Sequence, residues 1–139
     1  MEDKLFKLQI ISPDRIFFEG VCDMLEVKTS EGEMGILKGH IPLTAIVAPG
    51  ILRIKTDKEE DKEAALHDGF IEILKDRVTI LAEACEWPDE IDLNRANEAK
   101  IRAERRISGS ETGEINIARA ELSLRRSLTR IELAQKHSR

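Results

Sequence analysis

The stretch FIEILKDRVTILAEA, residues 70–84, decides the fold that this sequence predicts. FIEILK (70–75) and VTILAEA (78–84) are two short runs rich in Ile, Leu and Val, and only Asp76-Arg77 separates them. Two apolar runs joined by a two-residue polar connection are typical of a β-hairpin. Because each run is shorter than an ordinary helix, the stretch indicates an antiparallel pair of strands.

Upstream of this hairpin, similar runs alternate with turn signals back to the start of the chain. The runs are LFKLQII (5–11), RIFFEG (15–20), VCDMLEVKT (21–29), LTAIV (43–47), ILRIK (51–55) and AALHDG (64–69). SEGEMG (30–35) is predicted to be a tight connection, and TDKEEDKE (56–63), which has no apolar residue, a solvated hairpin tip. Short, regularly spaced strands predict a β-sandwich, or flattened barrel, over residues 1–87.

After Trp87-Pro88 the apolar period changes from two to about 3.6 residues, which predicts helices. One helix is expected over residues 89–107 and another from 114 to about 136, with SGSETG (108–113) as the break. The second helix repeats apolar and small residues every seven positions: Ile117, Leu124 and Ile131, and Ala120, Ser127 and Ala134. The predicted fold is therefore an N-terminal β-sandwich followed by a C-terminal antiparallel two-helix hairpin over residues 88–139. Because the hairpin has only one thin apolar seam, we expect it to pack on the sandwich, on another subunit, or on both in turn.

Composition excludes several classes of function. Of the 139 residues, 35% are charged and the net charge is −5. Residues 1–87 carry 11 basic and 18 acidic side chains, a charge of −7, whereas residues 88–139 carry 11 and 9, a charge of +2. This balance argues against a nucleic-acid binder, and four Phe, one Trp and no Tyr argue against a base-stacking surface. We expect no nucleic-acid partner.

The termini and cysteines indicate a reduced environment. The opening MEDKLFKLQII lacks the apolar region of a secretory signal, and no run approaches the ~20 apolar residues of a spanning helix. Cys22 and Cys85 are therefore predicted to be reduced, buried thiols, with a redox pair as the weaker alternative.

The glycine-rich segment SEGEMGILKGHIPL, residues 30–43, does not match the phosphate-loop pattern. Lys38 precedes Gly39, and His40 stands where the pattern has its lysine, so these glycines are interpreted as turn residues. His40 is expected to make structural contacts rather than act as a base. No nucleophile with an activating partner and no metal-ligand motif is visible, so the sequence does not indicate an enzyme.

The predicted helices carry arginines at regular spacing: Arg95, Arg102 and Arg106 on the first, and Arg119, Arg126 and Arg130 on the second. Two interpretations remain open. The guanidinium groups could converge on a phosphate-bearing ligand, or they could form a solvated face with partners such as Glu98. Spacing alone favours the solvated face.

Several motifs together resemble the epsilon subunits of bacterial F-type ATP synthases (delta in mitochondria) over nearly the whole chain. They are LQIISPDRIFFEG (8–20), GEMGILKGHIPL (32–43), GFIEI (69–73), VTILAEA (78–84) and RAELSLRRSLTR (119–130). Lys38 departs from the pattern, because the family usually has proline there.

The resemblance implies a non-catalytic rotor subunit that couples ion flow to ATP synthesis. Its sandwich would dock on the gamma subunit and the membrane c-ring, with Gly35, Gly39, His40 and Pro42 in the docking loop. Its helical hairpin would fold onto the sandwich or extend toward the alpha–beta catalytic hexamer, where it inhibits ATP hydrolysis. No cofactor would be required, and the chain would reach the cytoplasmic face of the bacterial cell membrane only through the complex.

The resemblance also implies a regulatory ATP site in the hairpin. Ile91, Asp92, Arg95 and Ala96 match the family pattern I/L-D-x-x-R-A, and the supporting positions are Glu86, Arg102, Arg126 and Arg130. This match makes the phosphate-binding interpretation of the arginines as strong as the solvated one. A stand-alone nucleotide sensor is the alternative function, and a small hydrolase is a weaker one because no activated nucleophile is visible.

Overall fold

The computed structural model describes residues 4–57, 59–109 and 114–137, with the side chains of Glu114 and Ile115 left out. The chain divides into two compact units, Met1–Glu86 and Trp87–Arg139. The strands of the first unit are β1 (Phe6–Ser12), β2 (Arg15–Cys22), β3 (Met24–Thr29), β4 (Gly32–Ile36), β5 (Leu43–Val47), β6 (Gly50–Lys55), β7 (Lys62–Ile73) and β8 (Arg77–Glu86). The second unit contains a 3-10 turn (Pro88–Glu90) and helices α1 (Leu93–Ser108) and α2 (Glu114–Lys136). The predicted fold class, a β-sandwich followed by two helices, is confirmed.

The strands pair in the order β2-β1-β8-β7-β5-β3-β4, and β6 pairs with both β3 and β7. The predicted hairpin lies at the centre, since β7 and β8 are antiparallel with Phe70 opposite Leu81 and Ile73 opposite Val78. β1 runs parallel to β8 on the other side of it. Inward side chains of β1, β3, β6, β7 and β8 form the centre of the core and are at most 1% exposed: Leu8, Ile10, Leu25, Leu52, Ile71 and Ile80.

The long strand β7 joins the two layers of the sandwich. Its first half pairs with β6 up to Leu66, and its second half pairs with β5 from Gly69 onward. The bend between them falls at Asp68, with φ of 39°, and Gly69, with φ of 155°. A Cβ atom on Gly69 would lie 1.9 Å from the Leu81 carbonyl oxygen, so only glycine fits. AALHDG and FIEILK, which were predicted as separate runs, are therefore one strand.

Two predicted connections differ from the structure. SEGEMG was predicted as a tight connection, but Gly32–Ile36 forms strand β4 and pairs with β3. The turn is shorter than predicted, since only Ser30 and Glu31 separate β3 from β4. The Thr29 hydroxyl holds this turn: it donates to the Gly32 carbonyl at 2.8 Å and accepts from the Glu31 amide at 3.2 Å. The prediction of a fully solvated tip over 56–63 is wrong for Glu63. Its carboxylate is buried and lies 3.2 Å from Nε of Arg53. Lys58 lies outside the described residues.

The helices of the second unit begin and end close to their predicted positions. α1 starts at Leu93 rather than 89, because Pro88–Glu90 forms a 3-10 turn and Asp92 caps the helix. α2 spans Glu114–Lys136 as predicted, and residues 110–113 of the predicted break lie outside the described residues. α1 packs against α2, and with only residues 109–113 between them the two run antiparallel.

The helix seam consists mostly of small side chains. Ala96 and Ala103 of α1, and Ala120 and Ser127 of α2, are at most 4% exposed. Small residues at such positions let two helix backbones approach closely. The apolar residues of the predicted heptad, Ile117, Leu124 and Ile131, are only partly buried. Ala134 is partly buried as well. The buried positions of α2 therefore include Ala120 and Ser127 of the predicted repeat but not Ala134, and Leu133, outside the repeat, is fully buried instead.

Candidate functional sites

An exposed row of apolar side chains crosses the outer face of the sandwich. Strand register places Ile46 opposite Phe70, and Phe70 opposite Leu81. It also places Leu81 beside Ile11, and Ile11 opposite Ile16. Because directly paired residues point to the same face of a sheet, these five side chains form one continuous stripe over β5, β7, β8, β1 and β2, which we name the apolar row. Four of its members are 52–58% exposed, and Ile11 is partly buried.

A polar row borders the apolar row on the same face. Strand pairing aligns a second set of residues, two positions along each strand from the apolar row and three in β2, where the register shifts. They are Thr44, Glu72, Thr79, Gln9 and Glu19. Within it, Nε2 of Gln9 donates to the Glu19 carboxylate at 2.9 Å. An apolar stripe that is exposed and bordered by polar groups is typical of a protein–protein interface. Sequence analysis did not identify this stripe.

The four residues predicted to form the docking loop do not all lie in one loop. Gly35 lies within β4, opposite Glu26, whereas Gly39, His40 and Pro42 lie in the connection from β4 to β5. The Gly39 amide, at φ of 86°, donates to the Lys75 carbonyl at 2.8 Å and so ties the connection to the β7–β8 turn.

His40 holds the same connection in shape. Its amide donates to the Leu37 carbonyl at 3.2 Å, and Nδ1 lies 2.7 Å from the Ile41 carbonyl oxygen. These contacts agree with the structural role predicted for His40. They leave Leu37 58% and Ile41 78% exposed on either side of it.

The predicted nucleotide-site arginines occupy one side of the helical hairpin. Three of the four directly precede a buried small residue of the seam: Arg95 before Ala96, Arg102 before Ala103, and Arg126 before Ser127. Arg130 follows Ser127 by three residues, a rotation of about 300°, and so lies on the same side. One residue is a rotation of about 100° around a helix axis. Because the helices face each other and run antiparallel, this rotation turns the side chains of both helices toward the same side of the pair. We name this side the arginine side.

The two helices contribute unequally to the arginine side. Arg95 and Arg102 of α1 are exposed, whereas Arg126 and Arg130 of α2 are partly buried and take part in further polar interactions. In an antiparallel pair the start of α1, with Arg95, lies beside the C-terminal half of α2. Guanidinium groups from two helices at the positive end of α1 are suited to bind phosphate.

Two residues of the predicted ATP motif have structural roles in the hairpin. A carboxylate oxygen of Asp92 accepts a hydrogen bond from the Arg95 amide at 3.1 Å and so caps α1. Ala96 is 4% exposed and packs in the seam. Ile91, which is partly buried, precedes the cap. Arg95 is the exposed, cationic member of the motif.

Glu86 belongs to the first unit, unlike the other seven predicted nucleotide-site residues. It ends β8, and its Oε1 lies 3.3 Å from Nε2 of His67. His67 is fully buried, and its Nδ1 has no hydrogen-bond partner among the described residues. Sequence analysis gave His67 no role, because a single histidine in a strand carries no motif.

Cys22 and Cys85 are both buried thiols and no disulfide joins them, as predicted. Burial raises the pKa of the Cys22 thiol to about 12, and the neighbouring Asp23 carboxylate adds to this effect. A thiol with so high a pKa is protonated near neutral pH and is a poor nucleophile. Within residues 4–57, 59–109 and 114–137 there is no group of three or more side chains placed to hold a metal ion, and no helix apolar and long enough to cross a membrane.

Fold and sites together define a class of protein. One unit presents an exposed apolar row on a sheet face, and the other gathers cations on one side of a helical hairpin. These are the features of a two-part interaction protein that docks on other proteins.

Comparison with known proteins identifies the family. The family model for the ATP synthase delta/epsilon chain β-sandwich domain matches residues 5–88, and that for the delta/epsilon chain long α-helix domain matches residues 89–135. The chain belongs to the ATP synthase delta/epsilon chain family.

Curated relatives and solved structures agree with this assignment. The chain is 46% identical to the ATP synthase epsilon chain of Halalkalibacterium halodurans, over 91% of this chain and 95% of the relative. It is also 46% identical to that of Caldanaerobacter subterraneus, over 97% of each. Its fold resembles a chain of the Euglena gracilis mitochondrial ATP synthase with a TM-score of 0.78 and 23% identity, over 92% of this chain and 79% of that one. The family models and these relatives confirm the predicted family. They also confirm the prediction of a non-catalytic subunit of the complex rather than an enzyme.

Proposed function

We propose that the chain is the rotor subunit that joins the central stalk to the c-ring and regulates ATP hydrolysis. The observation that carries this proposal is the apolar row, because a sheet face with four side chains more than half exposed requires a covering partner. The gamma subunit of the stalk is the partner we assign to it. Solved relatives of the fold come from assemblies described as F1 with c-ring and as central stalk with c-ring.

The connection from β4 to β5 is assigned to the c-ring. Leu37 and Ile41 project from it, while one backbone hydrogen bond from Gly39 to Lys75 and another from His40 to Leu37 restrain it. A rigid loop with exposed apolar side chains loses little conformational entropy when it docks. Through this contact the chain would couple ion flow to rotation at the cytoplasmic face of the bacterial cell membrane, as a peripheral subunit.

The helical hairpin is assigned the regulatory function. In its extended form it would contact the alpha–beta catalytic hexamer and inhibit ATP hydrolysis. ATP bound on the arginine side would bridge α1 and α2 and so favour the compact hairpin, because a ligand shifts an equilibrium only by its differential affinity. At a free concentration one hundred times Kd, such binding stabilises the compact form by about 2.7 kcal/mol. No cofactor is required for docking, and ATP acts as an effector.

A reconstitution experiment tests the inhibitory function. The full chain is added to a cognate catalytic complex that lacks this subunit, and ATP hydrolysis is measured beside that of a chain truncated after Trp87. We expect the full chain to suppress hydrolysis and the truncated chain to bind without suppressing it. Equal suppression by both, with equal binding, would exclude the hairpin as the inhibitory element.

Calorimetry tests the ATP site. We expect ATP to bind the full chain, and Arg126→Ala and Arg95→Ala to weaken binding by about ten- to a hundredfold, the range for a lost charge-assisted hydrogen bond. Arg105→Ala is the matched control, because Arg105 is an exposed arginine of α1 two residues after Ala103 and off the arginine side. No heat at millimolar ATP would remove the site. Binding without any effect on hydrolysis would favour the stand-alone nucleotide sensor.

A further inference from the structure

The apolar row is about as long as a short α-helix. It crosses five strands, from Ile46 in β5 to Ile16 in β2. Since neighbouring strands of a sheet lie about 4.8 Å apart, the row is about 19 Å long and presents an apolar side chain about every 4.8 Å. One turn of an α-helix advances about 5.4 Å, whereas side chains on one face of a strand recur about every 6.8 Å. The spacing of the row therefore fits the turns of a helix that lies across the strands better than it fits an extended segment.

Carboxylates border the apolar row on both sides. On one side lie Glu19 and Glu72 of the polar row, both exposed. On the other side, Glu83 is the next outward residue of β8, and Asp14 is exposed in the turn between β1 and β2. Neither Glu72 nor Glu83 has an ion-pair partner within 4 Å among the residues that the structure describes. The apolar row therefore runs between two acidic borders.

Three cations near the apolar row are held by other groups or lie beyond these borders. The Arg15 guanidinium lies 5.0 Å from the centre of the Phe17 ring and donates to the Cys85 carbonyl at 3.3 Å. Lys7 and Arg77 lie two residues beyond the polar row along β1 and β8, about 14 Å from the apolar row. A helix with its side chains is about 10–12 Å wide. One that covers the apolar row would therefore face the carboxylates of the borders on both flanks, and not Lys7 or Arg77.

We propose that one amphipathic α-helix of the gamma subunit lies along the apolar row, across the strands, and carries lysines or arginines on both flanks of its apolar stripe. A row of about 19 Å corresponds to about 13 helical residues, with apolar side chains about every third or fourth position. Apolar contacts would supply the affinity, and cations facing the two acidic borders would fix the position of the helix on the sheet. The helix rests on the proposed function, in which this face of the sandwich docks on gamma.

Charge neutralisation tests the basic flanks. Glu19, Glu72 and Glu83 are replaced together by glutamine in the full chain, and binding to the purified gamma subunit is measured by fluorescence anisotropy at low and high salt. Three lost exposed ion pairs should weaken binding by about 3- to 100-fold at low salt, and the difference should shrink at high salt because salt screens such pairs. The matched control makes the same change at three exposed glutamates of the helices: Glu98, Glu104 and Glu132. Equal affinities of the triple variant and the unsubstituted chain at low salt, or an equal loss in the control, would overturn the basic flanks.

Cross-linking tests the helix itself. The photoreactive residue benzoylphenylalanine replaces Ile46, Leu81 or Ile16, one at a time, so each variant keeps a large apolar side chain at its position. The residues of gamma that react are then identified by mass spectrometry. Because a helix advances about 1.5 Å per residue, the reacted residues should follow in order along one segment of gamma and span about 13 residues from the first variant to the last. An extended strand advances about 3.3 Å per residue and would span only about 6.

The outcomes separate the helix from the function on which it rests. Ordered cross-links over about 13 residues of gamma, together with weaker binding of the triple variant, would support the helix. Cross-links to gamma that span about 6 residues, or that fall in separate segments, would overturn the helix and leave the docking of this face on gamma standing. No cross-link to gamma from any of the three positions would refute the docking itself, and the helix with it.

Discussion

Replacement of Phe70 by serine should weaken docking of the sandwich more than any other single change in the apolar row. Phe70 lies in the middle of the row and is 56% exposed. A phenylalanine buries roughly 200 Å² in an interface, so the exposed part corresponds to about 110 Å². At about 25 cal/mol per Å², covering it contributes about 3 kcal/mol, or about a hundredfold in Kd.

The assay is titration of the full chain with the purified gamma subunit, monitored by fluorescence anisotropy. Ile101→Ser is the matched control, because Ile101 is 46% exposed but lies on α1, outside the apolar row. We expect Phe70→Ser to raise Kd by about 10- to 100-fold, since central aromatic residues dominate interface energies, and Ile101→Ser to leave it nearly unchanged. Equal Kd values for Phe70→Ser and the unsubstituted chain, with both folded, would refute the assignment of this face to gamma.

Three further predictions concern stability, measured by guanidinium unfolding of the full chain. Gly69→Ala should lower the free energy of unfolding by about 2–6 kcal/mol, because it adds backbone strain and a clash with β8. Gly32→Ala is the control: its φ is 118° but the space around it is open, so it should cost only about 1–3 kcal/mol. Equal costs for the two variants would contradict the clash. Asp92→Ala should cost about 1 kcal/mol by removing the cap of α1, and no change would mean that the cap contributes nothing. Burial raises the pKa of Cys22 from 9.0 to about 12, so the thiol of the unfolded chain ionises at a lower pH than that of the folded chain. The free energy of unfolding should therefore fall as pH rises between these two values. Cys22→Ala should lessen this fall.

The parts of the fold that depend on neighbours in sequence were predictable. The β7–β8 hairpin follows from two apolar runs around Asp76-Arg77, and α2 was placed at its observed ends, because hairpin turns and helical periodicity are local. Strand β4 and the bend of β7 at Gly69 were missed. Both depend on pairing with strands distant in the chain, which a short glycine-rich or charged segment does not reveal.

The two candidate sites also differ in how far the sequence could predict them. The arginines were identified from a local motif and a regular spacing, and the structure added that they share one side of the hairpin. The apolar row was not identified, because its members stand beside buried apolar residues: Ile11 beside Ile10, and Ile46 beside Val47. Where two consecutive strand residues are both apolar, alternation does not say which one faces the core.

By itself, the sequence determined a β-sandwich followed by two helices, an acidic first part and a basic second part, and the family to which the motifs belong. These properties are encoded in local periodicity, composition and short motifs, each readable within about twenty residues. Only the tertiary structure decided which apolar side chains stay exposed, and that five of them align across five strands as the apolar row. Strand register sets both, and register is a long-range property that arises when residues far apart in the chain pair to bury one common core.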